Sequence, residues 1–307
     1  MITSNIFSKA RKAKNRAKLY VTELDRLIYP DFFKGRLTPE EANLYLYKRI
    51  LNNNPIFAGK LGSVETRVLG EHQYKGHYSH TTLKEANQNA GIFPPTTKAL
   101  DRACGSILDA LKKVELLGCW PVGYQSRLAM DLDRLPMRCE MPDLEPFFYT
   151  LPWTYALKGK KVCIIHPFVD SIKQQWSRRK ILFDNQAILP DFNLILQKPP
   201  VTTTGAIHQW DTWDSALEDL WHNVKELEFD VALIGCGSYS LPIGAKIRDQ
   251  GRSAIHLGGS LQLLFGIFGK RWETFDNQQN MVNEAWIRPV ETDQPIGYQN
   301  IENGCYW

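Results

Sequence analysis

A single stretch decides the fold: residues 230–260 read DVALIGCGSYSLPIGAKIRDQGRSAIHLGGS. Residues 230–234 and 253–257 are short apolar runs that lack the polar–apolar alternation of a half-exposed strand. Between them, residues 241–249 have the length of a helix, which Gln250-Gly251 ends. Two buried strands joined by a helix predict a parallel pair whose two faces are both covered.

The rest of the chain continues this alternation of short apolar strands and helices. We predict strands at 56–61, 114–119, 161–165 and 192–196, and helices at 99–113, 213–227 and 261–268. The pattern predicts an α/β, Rossmann-like, mostly parallel sheet with helices on both faces. Upstream, Thr38-Pro39-Glu40-Glu41 is a capping box for a helix that ends near Ile50. We therefore divide the chain into a helical extension, residues 1–50, and one domain, residues 51–307.

Composition excludes several classes of protein. The 307 residues are 43% hydrophobic and 23% charged, which excludes disordered and fibrous chains. The net charge of +4 is too small to predict a nucleic-acid partner. No apolar run is long enough for a membrane span, and no secretory signal is present. The six cysteines show no metal-binding spacing, so we expect reduced core thiols in a cytosolic protein.

The first 20 residues differ from the rest in charge. They contain six basic residues, no acid occurs before Glu23, and Ala10, Ala13, Ala17 and Tyr20 recur at helical spacing. A basic helix of this kind is typical of a segment that lies on an anionic membrane surface. A solvated basic helix is the alternative, because the apolar stripe is mostly alanine.

Glycine turns follow both strands of the central unit. Gly235-Cys236-Gly237 leads to Ser238, Tyr239 and a helix, and Gly258-Gly259-Ser260 leads to Gln262. Glycines allow a ligand to approach the backbone closely, and free amides at a helix start attract phosphate. Tight turns with serine caps are the alternative. His256 stands where an NAD site would place an acid, which disfavours NAD.

Polar residues also follow the other strands. Lys60 ends one strand and precedes Gly62-Ser63-Val64-Glu65, which is either a ligand-binding turn or a capping pair. His166 follows another, and Asp170 opens the next helix, as a cap or as a general base. Lys270 and Arg271 lie past a helix end, where they either complement its dipole or meet a phosphate. The segment 89–94 predicts a loop with an unusual backbone, and Asp131 and Asp133 are interpreted as surface groups.

These segments resemble the GT-D fold glycosyltransferases, a bacterial family first described as a domain of unknown function in glycan gene clusters. The likeness covers roughly residues 50–290 and rests on four segments. They are Gly62–Glu65, His166–Phe168 with Asp170, 230–237, and 254–259 extended through Gly269-Lys270-Arg271-Trp272.

The resemblance implies an Asp-x-Glu motif that contacts the diphosphate of a nucleotide sugar together with Mn²⁺ or Mg²⁺. In this chain the motif is Ser63-Val64-Glu65, so Glu65 matches as metal ligand and Ser63 departs. Asp170 and Glu65 are the two candidates for the general base, and we assign that role to Asp170. The implied nucleotide-sugar contacts are Lys60, Gly62, Ser63, Asn89, His166, Gly235, Gly237, Ser238, Tyr239, His256, Gly258, Gly259, Gln262, Lys270 and Arg271. Trp120, Trp153 and Trp210 either stack on sugars or pack in the core.

The implied reaction moves a sugar from a nucleotide sugar, first of all a UDP-sugar, to a cell-surface polysaccharide or a lipid-linked glycan. We expect a cytoplasmic enzyme, peripheral on the inner membrane face if the basic helix docks there. Two alternatives stay open. Ile234-Gly235-Cys236-Gly237-Ser238 also suits a methyltransferase that uses S-adenosylmethionine, and the departure at Ser63 suits a non-catalytic subunit of a glycan-assembly complex.

Overall fold

The computed structural model describes residues 23–203, 209–274 and 280–307. In this part of the chain, a seven-stranded, all-parallel sheet has the order β3-β2-β1-β7-β6-β4-β5. The strands are β1 Phe57–Lys60, β2 Leu116–Cys119, β3 Met137–Glu140, β4 Lys161–Ile165, β5 Asn193–Gln197, β6 Val231–Ile234 and β7 Ser253–His256. The predicted α/β, Rossmann-like architecture is therefore confirmed.

Helices cover both faces of the sheet. They are Pro30–Phe33, Pro39–Leu51, Ser63–Lys75, His80–Gln88, Thr97–Leu111, Gln125–Met130, Val169–Trp176, Trp213–Lys225 and Ser240–Asp249. Buried apolar residues form two clusters, and successive residues of a strand pack in different ones. Ile165, Ile234 and Ala254 pack in one cluster, and Ile164 and Ile255 pack in the other. Full burial on both faces explains why the strands read as continuous apolar runs.

Several elements differ from the prediction. The predicted helix 261–268 is a 3₁₀ helix, Gly258–Phe265, which begins directly at the second glycine turn and ends at left-handed Gly266. The edge strand β3 and the helices Pro30–Phe33, His80–Gln88 and Gln125–Met130 were not predicted. Strand β3 escapes the pattern because it contains Arg138, whose Nε and Nη2 donate to the carbonyl oxygens of Phe32 and Lys34.

The capping box of helix Pro39–Leu51 is confirmed. The Glu41 amide donates to Thr38 Oγ1 at 3.2 Å, and the Thr38 amide donates to Glu41 Oε2 at 2.9 Å. Leu46 and Ile50 of this helix pack in the same apolar cluster as Trp153, so the helix joins the main core. The predicted basic helix of residues 1–20 lies outside the described residues.

All six cysteines are free thiols, and five are buried. Cys305 departs from the predicted core position: it is half-buried, with Sγ 3.7 Å from Glu302 Oε2. None of the helices in the described ranges has the length and apolar character needed to cross a bilayer.

Candidate active site

The carboxyl ends of four neighbouring strands meet at the centre of the sheet. In spatial order these strands are β1, β7, β6 and β4. Lys60 ends β1, His256 ends β7, Gly235 follows β6 and His166 follows β4. The sheet therefore brings together four segments that are up to about 200 positions apart in the sequence, at the edge where open parallel sheets bind ligands.

The two glycine turns lie against each other. A Cβ atom on Gly235 would lie 2.7 Å from the carbonyl oxygen of Gly258 and 2.8 Å from His166 Cδ2. Gly258 has φ +63°, and a Cβ atom there would lie 2.8 Å from Lys60 Nζ. Gly235 has no room for a Cβ atom because its neighbours are the Gly258 backbone and the His166 ring, and the left-handed φ of Gly258 disfavours any residue with a side chain.

Lys60 points its ammonium group at the second glycine turn. The side chain is half-buried, and Nζ lies 6.0 Å from the centre of the Trp120 ring. Within the described ranges it makes no hydrogen bond and no ion pair. Burial lowers the pKa of Lys60, Glu65 opposes this effect, and Arg271 adds to it. A desolvated cation without a bonded partner gains free energy from an anion placed beside it.

Glu65 belongs to the same group of charges. It lies in the first turn of helix Ser63–Lys75, and its carboxylate folds back over Gly62, where a Cβ atom would collide with Oε2. Burial raises the pKa of Glu65, while a hydrogen bond from its own backbone amide and the charge of Lys60 lower it. Glu65 therefore lies beside Lys60 in the first turn of its helix, whereas the N-cap position is Gly62, which makes no side-chain capping hydrogen bond, and not the predicted Ser63.

Two neutral histidines flank the turns with opposite tautomers. The Phe168 amide donates to His166 Nδ1 at 3.0 Å, so the ring proton of His166 lies on Nε2. His256 Nδ1 lies 3.2 Å from the carbonyl oxygen of Ile234 and must donate to it, which leaves Nε2 as an acceptor. Burial lowers the pKa of each histidine to about 3. At neutral pH the site thus holds one imidazole donor and one imidazole acceptor.

A segment that the sequence did not predict covers these groups. We call residues 298–307 the C-terminal strap. Glu302 forms an ion pair with Arg271, and the guanidinium carbon of Arg271 lies 4.4 Å from the centre of the Tyr306 ring. Tyr306 covers the second turn, since a Cβ atom on Gly259 would lie 2.6 Å from its ring. The second glycine turn therefore faces the strap.

The strap is held at both ends. Asn89 Oδ1 accepts a hydrogen bond from the Glu302 amide at 3.1 Å. Trp307 Nε1 donates to the carbonyl oxygen of Asp293 at 3.1 Å, and its ring lies 5.4 Å from Phe168. Glu302, Asn303 and Gly304 have φ values of 47°, 61° and 67°, a left-handed run that disfavours the two residues with side chains.

Several predicted contacts lie in the interior instead. Ser238 Oγ donates to the carbonyl oxygen of Ala90 and accepts from Trp213 Nε1, and Tyr239 stacks on Trp213. Gln262 is fully buried and donates to two backbone carbonyls, one of them that of Tyr306. These side chains support the turns, and their hydrogen bonds are directed within the protein.

Other predicted residues are on the surface. Ser63, Lys270 and Gly237 are exposed, and Gly237 has φ +61°. Asp170 is also exposed, and in the described part of the chain its carboxylate makes no hydrogen bond or ion pair. The amide of Asp170 lies 3.4 Å from Asp293, which caps this helix. The sheet thus brings Glu65 to the group of charges but leaves Asp170 outside it.

The three tryptophans for which stacking on sugars and core packing were the alternatives also lie in different environments. Trp153 is a core residue whose Nε1 donates to the carbonyl oxygen of Leu144. Trp120 Nε1 donates to the carbonyl oxygen of Leu61, which holds its ring beside Lys60. Trp210 Nε1 donates to Asp219 and lines a cavity of about 330 Å³ beside helix Trp213–Lys225. A second cavity, of about 420 Å³, lies at the opposite edge of the sheet. Neither cavity includes the glycine turns.

The residues present do not fit a dedicated Mn²⁺ or Mg²⁺ site. Among the described residues, no group of three His, Cys, Asp or Glu side chains could hold a metal ion. Glu65 faces Lys60, and Glu302 is paired with Arg271, so a divalent cation would lie among two positive charges.

No family model and no curated protein matches this sequence. The chain is similar to two solved structures of the domain of unknown function 1792 (DUF1792). One is a selenomethionine-substituted structure, with 11% identity and a TM-score of 0.49. The other is described as having "a distinct glycosyltransferase fold", with 10% identity and a TM-score of 0.47. Each comparison covers 88% of this chain and 96% of that chain.

Proposed function

We propose that the protein is a glycosyltransferase that moves a sugar from a nucleoside-diphosphate sugar to a hydroxyl group of a glycan. The observation that carries the proposal is Lys60, a half-buried ammonium group that makes no hydrogen bond with the described residues and lies against the turn at Gly258. A diphosphate spreads negative charge over several oxygens, and it satisfies a desolvated cation and close backbone turns together.

In the proposed reaction the protein stabilises the leaving diphosphate. Lys60 and Arg271 supply positive charge where negative charge develops as the bond between sugar and phosphate breaks. His166 Nε2–H, beside Gly235, offers a neutral hydrogen bond to the same group. Lys60 and His166 are positioned by the ends of β1 and β4, and Arg271 is held by its ion pair with Glu302, so little reorganisation is needed at the moment of reaction.

We assign the general base to Glu65 and no longer to Asp170. A base for a sugar hydroxyl must reach the site, and its pKa should lie closer to neutrality than that of a free carboxyl group. Burial raises the pKa of Glu65, whereas Asp170 is exposed on the outer side of its helix start. Glu65 would take the proton of the acceptor hydroxyl as that oxygen attacks the sugar.

We keep UDP as the first nucleotide to test, and a cell-surface polysaccharide or a lipid-linked glycan as acceptor. We further propose that a cytoplasmic protein meets that acceptor at the inner face of the membrane. The description of one similar structure as a glycosyltransferase fold agrees with the proposal but does not carry it.

The test separates nucleotide binding from sugar transfer. We expect UDP to raise the melting temperature of the wild-type protein, and Glu65→Gln to bind UDP normally but lose transfer by about 100-fold or more, as expected for a general base. Transfer and UDP binding are measured on the same preparations by product chromatography and calorimetry, with Asp170→Asn as the comparison variant.

Each other outcome points elsewhere. Normal transfer by Glu65→Gln with loss in Asp170→Asn would return the base to Asp170. Stabilisation by S-adenosylmethionine and not by UDP would favour a methyltransferase. UDP binding without turnover over a full panel of donors and acceptors would make the protein a non-catalytic subunit.

A further inference from the structure

An apolar face without a partner lies at the start of the described chain. Residues 23–28 are helical, and Leu24, Leu27 and Ile28 lie on one side of this helix at spacings of three and four. They are 57%, 80% and 61% exposed. Leu27 is the most exposed large hydrophobic side chain in the described ranges. Three adjacent aliphatic side chains facing water mark a surface that something covers.

The charge of the chain is concentrated directly before this face. Residues 1–22 contain six Lys and Arg and no Asp or Glu. The remaining 285 residues hold 31 basic and 33 acidic residues, which gives them a net charge of −2. The net charge of +4 therefore comes entirely from the segment that leads into the apolar face.

The face is attached to the same edge of the sheet as the candidate active site. Ser126 Oγ donates to Asp25 Oδ2 at 2.7 Å. Ser126 lies in helix Gln125–Met130, which follows the carboxyl end of β2, and Trp120 in that connection lies beside Lys60. A partner bound to this face would therefore be next to the rim of the site.

A second copy of the chain is a poor partner for this face. Ala10, Ala13, Ala17, Tyr20, Leu24 and Leu27 follow a spacing of three and four, of which the first four lie outside the described residues. A pairing of two such segments would place small alanines at the contact and bring two groups of six positive charges together. An anionic lipid surface meets both properties, since it attracts the basic residues and accepts aliphatic side chains at its boundary.

We propose that Leu24, Leu27 and Ile28 dock this protein on an anionic membrane surface, which attracts the six basic residues that precede them in the sequence. Attraction to the lipid headgroups supplies one part of the affinity, and insertion of the three side chains supplies the other. The surface would hold the rim of the site toward lipid-linked acceptors. The inference extends the proposed function, on which its purpose rests, but lipid binding itself requires no sugar transfer.

The experiment compares binding of the full chain to two kinds of vesicle. We expect the protein to sediment with vesicles of phosphatidylcholine and phosphatidylglycerol, and to stay in solution with phosphatidylcholine alone. The triple variant Leu24→Ser, Leu27→Ser, Ile28→Ser should lower the bound fraction on anionic vesicles by about fivefold or more. The matched control is Leu44→Ser, Leu51→Ser, which removes two side chains of helix Pro39–Leu51 that are 48% and 50% exposed.

The results that would overturn the docking are distinct from failure of the proposed function. Equal sedimentation with both kinds of vesicle, or unchanged binding of the triple variant, would exclude this surface. A dimer in light scattering that the triple variant abolishes would assign the face to a second copy instead. UDP binding is measured on the same triple variant; if UDP fails to bind the wild type while lipid binding persists, the docking stands and the proposed function falls.

Discussion

The two edges of the sheet differ in how their charged side chains are bonded. At the amino edge, Glu115 accepts a hydrogen bond from the Phe57 amide at 2.9 Å and ion-pairs with Arg49 at 3.2 Å and with Arg248 at 2.8 Å. Burial alone would raise the pKa of Glu115, but these bonds lower it. At the carboxyl edge, burial lowers the pKa of Lys60, which has no hydrogen bond in the described chain.

The difference shows what each edge is for. A buried charge with several good partners stabilises the fold or leaves it unaffected, whereas a buried charge without them disfavours folding. Glu115 is satisfied where strands begin, whereas Lys60, where a strand ends, makes no hydrogen bond with any of the described residues. A fold gains nothing from that second arrangement, so we attribute it to a ligand.

The largest expected effect comes from removing one charge at either edge of the sheet. At the carboxyl edge the change should weaken UDP binding, and at the amino edge it should lower stability. Lys60→Met keeps the length of the side chain but removes its charge, so UDP binding should weaken by about 100-fold while the melting temperature stays the same or rises. Glu115→Gln, the matched change at the amino edge, should lower the free energy of unfolding by about 2 kcal/mol and leave UDP binding unchanged. Calorimetry and urea unfolding measure both. A melting temperature that falls in Lys60→Met would remove the contrast.

The next effect is the response of the carboxyl edge to acid. Burial lowers the pKa of His166 and His256 to about 3 in the folded chain, below the value of about 6.5 of a free imidazole, so the unfolded chain binds more protons as pH falls through 6.5. Each should lower the free energy of unfolding by about 1.4 kcal/mol per pH unit below 6.5. Urea unfolding at several pH values, with His166→Asn and His256→Asn, measures these slopes. His77→Gln, which replaces an exposed histidine, is the matched control. If the wild type had the same slope as the double variant His166→Asn, His256→Asn, the two imidazoles could not be neutral and buried in the folded chain.

The smallest effect concerns the strap. Glu302→Gln removes the carboxylate that competes with a diphosphate for Arg271, so UDP should bind about fivefold more tightly, since a partly exposed ion pair contributes about 1 kcal/mol. Calorimetry measures this against Glu291→Gln, which changes an exposed acid outside the strap. Weaker binding in Glu302→Gln would mean that the strap helps to hold the ligand.

The sequence was sufficient to predict what depends on local pattern. Apolar runs such as 161–165 identified the buried strands, and the strand boundaries differ from the predicted ones by at most two residues at either end. The glycine turns were found because only glycine allows their backbone to approach a neighbour. Lys60 and Glu65 were found because they follow a strand that could be recognised.

What the sequence did not reveal depends on distant contacts. Glu302 meets Asn89, which lies 213 positions earlier, and no periodicity connects the two. The short 3₁₀ turns of the C-terminal strap leave no helical pattern in the sequence. The local signal for this segment is its density of aromatic residues, Tyr298, Tyr306 and Trp307. The absence of a hydrogen bond to Lys60 also follows from the whole arrangement of neighbours, which no spacing encodes.

The left-handed run at Glu302, Asn303 and Gly304 has a consequence for how the site is entered. For residues with a side chain this backbone conformation costs about 1–2 kcal/mol each, and the contacts of Arg271, Asn89 and Phe168 must offset that cost while the segment is in place. When those contacts break, the backbone relaxes and returns part of their free energy. If a ligand binds beneath the strap, as the proposed function requires, displacing the strap costs less free energy than the number of broken contacts suggests.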